Sequence, residues 1–371
     1  LILSSHILPS SEELDDLITI INLPLPDLSE LTALIKKIAF NTDSDLSEQD
    51  LNELAIASSG LSEIKVKQVT AKALTQRGKI SKYDIKDILE EKKQVIARSE
   101  ILEFCESKSS QNDIGGLKLL KTWLKQRYRA FSKEAQEYGL PIPKGVLLVG
   151  PQGTGKSLTA KSISESWSMP LLRLDVGRLF SSLVGSSEAR TRETISRAEA
   201  MSPCILWIDE IDKGFGGDAR SDGGTSQRVL ASLLTWMAEK ESAVFVIATA
   251  NAIDKLPAEL LRKGRFDEIF FLDLPNSEER LSILDLHLKK RRPSYNFPLS
   301  TIIDRTDGYS GAELEQAVIE GMHFSFSENR ELMEKDLIKA VSELVPLSRT
   351  AKEQIDFLKE WSSTGRARSA S

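Results

Sequence analysis

Residues 144–164, KGVLLVGPQGTGKSLTAKSIS, constrain the fold more than any other segment, because a strand, a glycine-rich turn and a helix follow one another directly. The apolar run 146–149 is typical of a buried parallel strand. GPQGTGKS then fits the pattern G-x-x-x-x-G-K-[ST], in which successive backbone N–H groups surround phosphate oxygens. The alternative is a glycine-rich turn with a surface lysine, and it leaves the flanking strand and helix unexplained.

This segment predicts which residues hold a nucleoside triphosphate and Mg²⁺. Lys156 is expected to reach the β- and γ-phosphates, and Ser157 to bind Mg²⁺ through its hydroxyl group. The remaining phosphate contacts are expected from Gly150, Pro151, Gln152, Gly153, Thr154, Gly155 and Leu158.

Two further apolar strands end in polar residues that suit the same chemistry. CILWIDEID, residues 204–212, ends in acids, of which Asp209 is expected to bind Mg²⁺ and Glu210 to polarise an attacking water. AVFVIATAN, residues 243–251, ends in Asn251, whose amide could orient that water or contact the γ-phosphate. Taken alone, the acidic pair fits a solvated strand end and the asparagine fits a turn cap.

Composition excludes several classes of protein. The 371 residues carry a net charge of −6, with 40% hydrophobic and 28% charged residues, so a large globular core is expected and bulk nucleic-acid binding is not. Cys105 and Cys204 have no disulfide or metal-site spacing, which suits a reducing compartment. No apolar run reaches membrane-spanning length, so we expect no membrane insertion. We expect a cytoplasmic location instead.

These motifs resemble those of the AAA ATPases over residues 111–350. NDIGGL, residues 112–117, resembles the opening motif of the family, and residues 249–280 resemble its second region of homology. The resemblance implies an α/β fold, namely a P-loop AAA+ module with a parallel sheet of order 5-1-4-3-2 and a helical lid behind it. It also implies ATP or ADP with Mg²⁺ as ligands, with Ile114 and Gly115 along the adenine.

The lid can be read from helical segments at 281–288 and 311–326. Ser310 and Glu313 form an S-x-x-E capping box at the start of the second segment. The resemblance places His287 near the ribose and adenine, although the residue alone equally fits a helix surface. Two residues at the start of the second lid helix are implied to approach the nucleotide, Gly311 and Ala312.

Arg265, in the sequence GRFD, resembles an arginine finger presented to the ATP of a neighbouring subunit, which implies a ring, usually a hexamer. Two departures weaken the match. Glu268 replaces a second arginine of many members, and Leu183 replaces the aromatic residue of the pore loop in threading members. Residues 214–228 resemble a second pore loop, although a linker fits equally well.

The start of the chain resembles its own lid region. Pro26 and Pro275 lie 249 positions apart, and Gly60 and Gly308 lie 248 positions apart, which predicts an internal repeat. Residues 1–105 are therefore expected to be the last strand and lid of a degenerate AAA-like domain whose front half is not in this sequence. An unrelated helical domain is the alternative.

The resemblance to an AAA module also predicts the boundaries of the remaining segments. Residues 106–280 are expected to form the large AAA subdomain, residues 281–350 its lid, and residues 351–371 a C-terminal helix and a disordered basic tail. Apolar residues spaced by three and four between positions 117 and 138 predict one long helix before the core.

A degenerate module ahead of a competent one resembles a family of cyanobacteria and plastid genomes, hypothetical chloroplast open reading frame forty-six. This resemblance implies the chloroplast stroma as an alternative location, and a link to photosynthesis or inorganic-carbon acquisition.

Two functions remain open from the sequence. The first is an ATP-hydrolysing ring that remodels an unknown protein partner. The second is a nucleotide-gated scaffold with slow hydrolysis, which Glu268 and Leu183 favour. Machinery acting on DNA is disfavoured by the acidic charge balance and by the lack of a DNA-binding motif.

Overall fold

A computed structural model describes residues 25–97, 101–105, 115–180, 186–215 and 225–371. Its strands are β1 (Leu102–Cys105), β2 (Gly145–Val149), β3 (Leu171–Leu174), β4 (Cys204–Ile208), β5 (Val244–Ala250), β6 (Glu268–Phe271) and β7 (Arg368–Ser369). Its helices before the phosphate loop are α1 (Leu28–Asn41), α2 (Glu48–Ser58), α3 (Glu63–Arg77), α4 (Ile85–Ala97), α5 (Lys118–Tyr128) and α6 (Lys133–Glu137). The later helices are α7 (Lys156–Trp167), α8 (Val176–Phe180), α9 (Ser186–Ala200), α10 (Thr225–Glu239), α11 (Ser277–Arg291), α12 (Ser300–Arg305), α13 (Gly311–Ser327), α14 (Glu334–Glu343), α15 (Leu347–Thr350) and α16 (Lys352–Trp361).

The strands form one sheet in the order β1-β3-β4-β5-β2-β6-β7. From β3 to β6 all neighbours run parallel, and these five strands have the order 5-1-4-3-2 when numbered along the module. The fold class expected from the sequence is therefore confirmed. Two strands extend the expected sheet: β1 pairs antiparallel with β3, and β7 pairs parallel with β6.

The sheet is buried on both faces, as its apolar strands require. In β5 every residue is buried, and alternate side chains enter different hydrophobic clusters. Val244, Val246 and Ala248 pack on one face, whereas Phe245 and Ile247 pack on the other. A one-residue slip would exchange side chains of different size between the two clusters, so close packing fixes the register and the positions of the residues at the carboxyl ends of the strands.

The first four helices repeat the four lid helices α11–α14 in structure as well as in sequence. Asp27 and Glu30 form a capping box at the start of α1, and Asn276 and Glu279 form the same box 249 positions later. Ser62 and Ser310 cap α3 and α13 at a spacing of 248.

The buried faces of the two units coincide at these same spacings. In α1 the buried residues Leu31, Ile35 and Ala39 correspond to Arg280, Leu284 and Leu288 in α11. The buried residues Val66, Val69, Thr70 and Ala73 of α3 correspond to the buried residues Leu314, Ala317, Val318 and Gly321 of α13. The agreement of caps with core positions supports the internal repeat.

The N-terminal helices pack directly on the AAA core. Gly60 has φ +83°, and a Cβ atom built there would lie 2.0 Å from the carbonyl oxygen of Ala200 at the end of α9. In α4, Ile96 joins the hydrophobic cluster of the sheet, and Lys92 is 1% exposed. Burial lowers the pKa of Lys92 to about 8.

The structure contradicts two predictions. The tail is not disordered: β7 pairs with β6, Ala370 is buried, and its carbonyl oxygen accepts a hydrogen bond from the Leu120 amide over 3.1 Å. The helix expected over 117–138 is broken, because α5 ends at Tyr128 and Ser132 caps the short helix α6. Backbone pairing and capping override the side-chain pattern in both places.

Some predictions concern residues outside the described ranges. They are the strand expected before Pro26, the roles of Ile114 and Leu183, and most of the loop 214–228. The segment boundaries also stay predictions, although β1 pairs into the large sheet and α11 crosses the boundary set at 280. No helix within the described ranges is long and apolar enough to span a membrane.

The close packing at Gly60 predicts that Gly60→Ala destabilises the chain. The new Cβ atom would displace the α9 backbone and strain a left-handed residue, so we expect a loss of about 3 kcal/mol in urea unfolding. Gly78→Ala is the matched control, because Gly78 has φ +73° but no atom within 4 Å of the built Cβ. It should cost roughly 1 kcal/mol, and equal losses would contradict the proposed contact.

The buried ammonium group of Lys92 predicts a pH-dependent contribution to stability. The pKa of Lys92 is about 8 in the folded chain and 10.5 when the side chain is not buried. Between these pH values the unfolded chain binds more protons than the folded chain, so the free energy of unfolding rises with pH. We expect Lys92→Met to gain less stability than wild type from pH 7 to 9.5, by roughly 2 kcal/mol. Lys72→Met, at an exposed lysine, should behave as wild type. Parallel curves for wild type and Lys92→Met would reject the assignment.

Candidate nucleotide-binding site

The phosphate loop joins the carboxyl end of β2 to the first residue of α7. Gly153 and Gly155 have φ values of +77° and +88°, which only glycine adopts without strain. These conformations turn the loop so that α7 begins at Lys156, with Gly155 as its N-cap. The N–H groups at a helix start favour an anion, so the local backbone suits phosphate.

Lys156 is buried beneath this loop. Its Nζ donates hydrogen bonds to the carbonyl oxygens of Gly150, over 2.7 Å, and Pro151, over 2.6 Å. Burial lowers the pKa of Lys156 to about 8, while nearby Asp212, Glu210 and Asp209 oppose that shift. The side chain thus lies within the bend, with acidic groups balancing its charge.

Ser157 and Asp209 lie together, as a shared Mg²⁺ would require. The Ser157 hydroxyl donates to Oδ1 of Asp209 over 3.0 Å, and Thr249 donates to the same oxygen over 2.8 Å. A hydroxyl and a carboxylate beside a phosphate loop form the oxygen set that Mg²⁺ accepts, so these residues fit the ion. Within the described residues there is no cluster of three or more His, Cys, Asp or Glu that could hold a metal by itself.

Glu210 is held at both carboxylate oxygens and at its backbone. Asn251 donates from Nδ2 to Oε1 over 2.9 Å, and Lys213 forms an ion pair with Oε2. The residue has φ +49°, and its amide donates to the Thr249 hydroxyl over 2.8 Å. The side chain of Glu210 is therefore directed toward Asn251.

A cleft of about 530 Å³ brings most of the predicted residues together. It is lined by Gln152 to Leu158, Glu210, Asn251, Gly115, His287, Gly311 and Ala312. Asp209 does not line the cleft but contacts Ser157, which does. The volume is in the range of small-molecule sites.

His287 faces the cleft from α11. Its Nδ1 lies 3.2 Å from Nη1 of Arg291 and 3.5 Å from Oε1 of Glu315, and Glu315 also lines the cleft. Of the two interpretations left open by the sequence, this position favours the one near the nucleotide.

Sequence reasoning missed two residues that organise the site. Thr249 joins Asp209 to Glu210, and its signal was a lone hydroxyl in an apolar strand, two residues before Asn251. Glu279 accepts a hydrogen bond from the Leu117 amide over 3.2 Å, so it connects the opening motif to the lid. Its capping box is visible in the sequence, but this second contact spans 162 positions.

Arg265 lies at the opposite edge of the sheet from this cleft. It precedes β6, in which Glu268 pairs with Val146 near the start of β2, whereas the phosphate loop follows the end of β2. A five-residue strand spans roughly 16 Å. The Nη1 of Arg265 is buried and lacks a hydrogen-bond partner within the described residues.

Comparisons with known proteins agree with this geometry. Residues 146–274 match the "ATPase family associated with various cellular activities (AAA)". Residues 29–99 match "SpoVK-like AAA ATPase, second domain", which is the region of helices α1–α4.

The relatives extend this similarity over almost the whole chain. The "Uncharacterized AAA domain-containing protein ycf46" of Pyropia yezoensis is 49% identical over 361 residues, covering 96% of this chain and 73% of the relative. The protein of the same name from Guillardia theta is 49% identical, covering 96% and 71%. The "ATP-dependent zinc metalloprotease FtsH" of Cyanidium caldarium is 40% identical over 210 residues, covering 54% of this chain and 34% of the relative. The chain belongs to the AAA ATPases and, within them, to the ycf46 family of AAA domain-containing proteins.

Proposed function

We propose that the chain hydrolyses ATP as a ring of identical subunits, in which Arg265 of one subunit completes the site of the next. The observation that carries the proposal is the position of Arg265 at the sheet edge away from its own phosphate loop, where its Nη1 has no hydrogen-bond partner within the described residues. A site and a finger on different surfaces fit a head-to-tail contact, and such contacts form a ring when the rotation between subunits closes.

Within one subunit the residues divide the work. Lys156 and the loop amides bind and orient the phosphates, and Gly115, His287, Gly311 and Ala312 surround the nucleoside. Ser157 and Asp209 would hold Mg²⁺, which neutralises phosphate charge when bound. Glu210 takes a proton from the attacking water, and Asn251 orients Glu210 through its 2.9 Å hydrogen bond. The Arg265 guanidinium would stabilise the charge that develops on the phosphoryl oxygens.

Residues 1–105 act in this proposal as the last strand and lid of a degenerate AAA-like domain without a finger of its own. The matching caps and core positions of α1–α4 and α11–α14 support this assignment, as does the family match over residues 29–99. The ring, six subunits by analogy with the family, would act on a protein partner in the chloroplast stroma or the cyanobacterial cytoplasm. The plastid name of the relatives favours that setting.

A nucleotide-gated scaffold with slow hydrolysis is the second candidate. Two observations favour it. Lys213 and Asn251 occupy both carboxylate oxygens of Glu210, which restrains the proposed base. Glu268 places a carboxylate three residues after the finger, where a second cation would assist the reaction.

Turnover measured against protein concentration tests the ring. We expect ATP turnover per subunit to rise as subunits assemble, and Arg265→Ala to lower it by about 10³-fold or more without changing ATP affinity. Arg262→Ala is the matched control, because its exposed side chain lies in the same loop. The proposal is wrong if Arg265→Ala hydrolyses ATP normally. ATP-driven assembly with negligible wild-type turnover would favour the scaffold.

Replacing the proposed base separates binding from hydrolysis. Glu210→Gln keeps the size of the side chain and an oxygen that can accept from Asn251, so ATP should still bind. Turnover should fall by about 10²- to 10⁴-fold, leaving ATP rather than ADP on the purified protein. The bound nucleotide is identified by chromatography after denaturation, with Lys156→Ala as the variant that retains none. A Glu210→Gln protein with wild-type turnover would remove Glu210 from its proposed role.

A further inference from the structure

Lys144, just before β2, contacts the loop that carries Arg265. Its Nζ donates a hydrogen bond to the carbonyl oxygen of Gly264 over 2.8 Å and a second to that of Ala238 in α10. The Gly264 carbonyl belongs to the peptide bond that joins Gly264 to Arg265. The ammonium group of Lys144 therefore holds the backbone directly before the finger.

The other side of the loop is fixed to the same two residues. Oδ2 of Asp267 accepts hydrogen bonds from the amides of Lys144, over 2.8 Å, and Gly145, over 3.0 Å. The Asp267 amide donates to the carbonyl oxygen of Gly145 over 2.9 Å. The start of β2 thus clamps the finger loop immediately before and after Arg265 and Phe266.

After Arg265 the loop is also held by Phe266, which is buried in the hydrophobic cluster of the sheet and forms a backbone bridge with Lys263. Before Arg265 the contacts are fewer. Gly264 has φ +100° and no atom within 4 Å of a built Cβ, so packing does not fix its conformation. The guanidinium Nη1 of Arg265 has no hydrogen-bond partner within the described residues. No hydrogen bond at this nitrogen fixes the side chain, so the backbone contacts made by Lys144 and Asp267 contribute to the direction of the finger.

We propose that Lys144 is a positioning residue that fixes the finger loop for the neighbouring subunit. Lys144 directly precedes β2, whose far end is the phosphate loop, so one strand connects a subunit's own nucleotide site to the finger that it lends. This inference rests on the proposed function of Arg265 in trans. Lys144 acts through the loop backbone and does not itself touch the nucleotide.

The first measurement compares Lys144→Met with Lys144→Arg. Methionine keeps the apolar stem but cannot donate to the Gly264 carbonyl, so turnover by the assembled protein should fall by about 10- to 100-fold. ATP affinity should stay at the wild-type value, and Lys144→Arg should recover most of the turnover. Lys125→Met is the control: Lys125 is an exposed lysine on α5 that makes no described hydrogen bond to the finger loop. Unchanged turnover in Lys144→Met would overturn the proposal.

The second measurement mixes subunits to find which site Lys144 serves. Lys156→Ala lacks a working nucleotide site but keeps its finger, whereas Lys144→Met keeps its site and has a displaced finger. In a one-to-one mixture about a quarter of the junctions pair an intact site with an intact finger, so turnover should recover to about that fraction of wild type. If Lys144→Met does not fold, Lys144→Gln takes its place.

The mixing experiment also separates the inference from the proposed function. Arg265→Ala mixed with Lys156→Ala should recover in the same way. If that pair recovers and the Lys144 pair does not, Lys144 serves its own site and the inference is wrong. If neither pair recovers, the finger does not act in trans, and the proposed function fails together with the inference.

Discussion

The burial of the Lys156 ammonium group under the phosphate loop is the interaction on which the candidate site depends. Its Nζ donates to two loop carbonyls, and burial brings its pKa to about 8. A cation kept out of water attracts an anion more strongly than one at the surface. The acids grouped around it, Asp209, Glu210 and Asp212, are held there by partners of their own, including Thr249 and Asn251. The site is thus a network whose members set one another's positions.

Strand β2 places this network and the Arg265 loop at opposite edges of one sheet. All of its residues are buried, and it pairs with β5 on one side and β6 on the other. Hydrogen bonds to both neighbours fix the position of β2, and Lys144 and Gly145 at its start hold the loop that carries Arg265. This central position makes β2 the direct link between the phosphate loop and the loop proposed to serve a neighbouring subunit.

The sequence predicts the chemical groups of this site better than the residues that hold those groups in position. Contiguous motifs at the ends of strands predict the chemical groups of the site. These are the side chains of Lys156, Ser157, Asp209, Glu210 and Asn251. Thr249 and Glu279 act through contacts made only after folding, and local spacing says nothing of such contacts. The tail STGRARSAS illustrates the limit. Its small and basic residues resemble a disordered end, yet β7 is held mainly by backbone hydrogen bonds to β6, which almost any side chain permits.

The internal repeat shows which features of a sequence persist when identity is low. Helices α1 and α11 keep the same type of capping box and the same buried positions. Few residue types can pair the free N–H groups at a helix start, and an apolar face must be buried at a fixed spacing. Where the units differ, their surroundings differ. Arg280 replaces Leu31 in the buried face, and there its Nη1 donates to the Pro275 carbonyl oxygen beside the nucleotide cleft. Gly60 lies against the backbone of Ala200, whereas Gly308 lies against the Ser348 side chain. One four-helix arrangement thus packs on the AAA core in one copy and lines the candidate nucleotide cleft in the other.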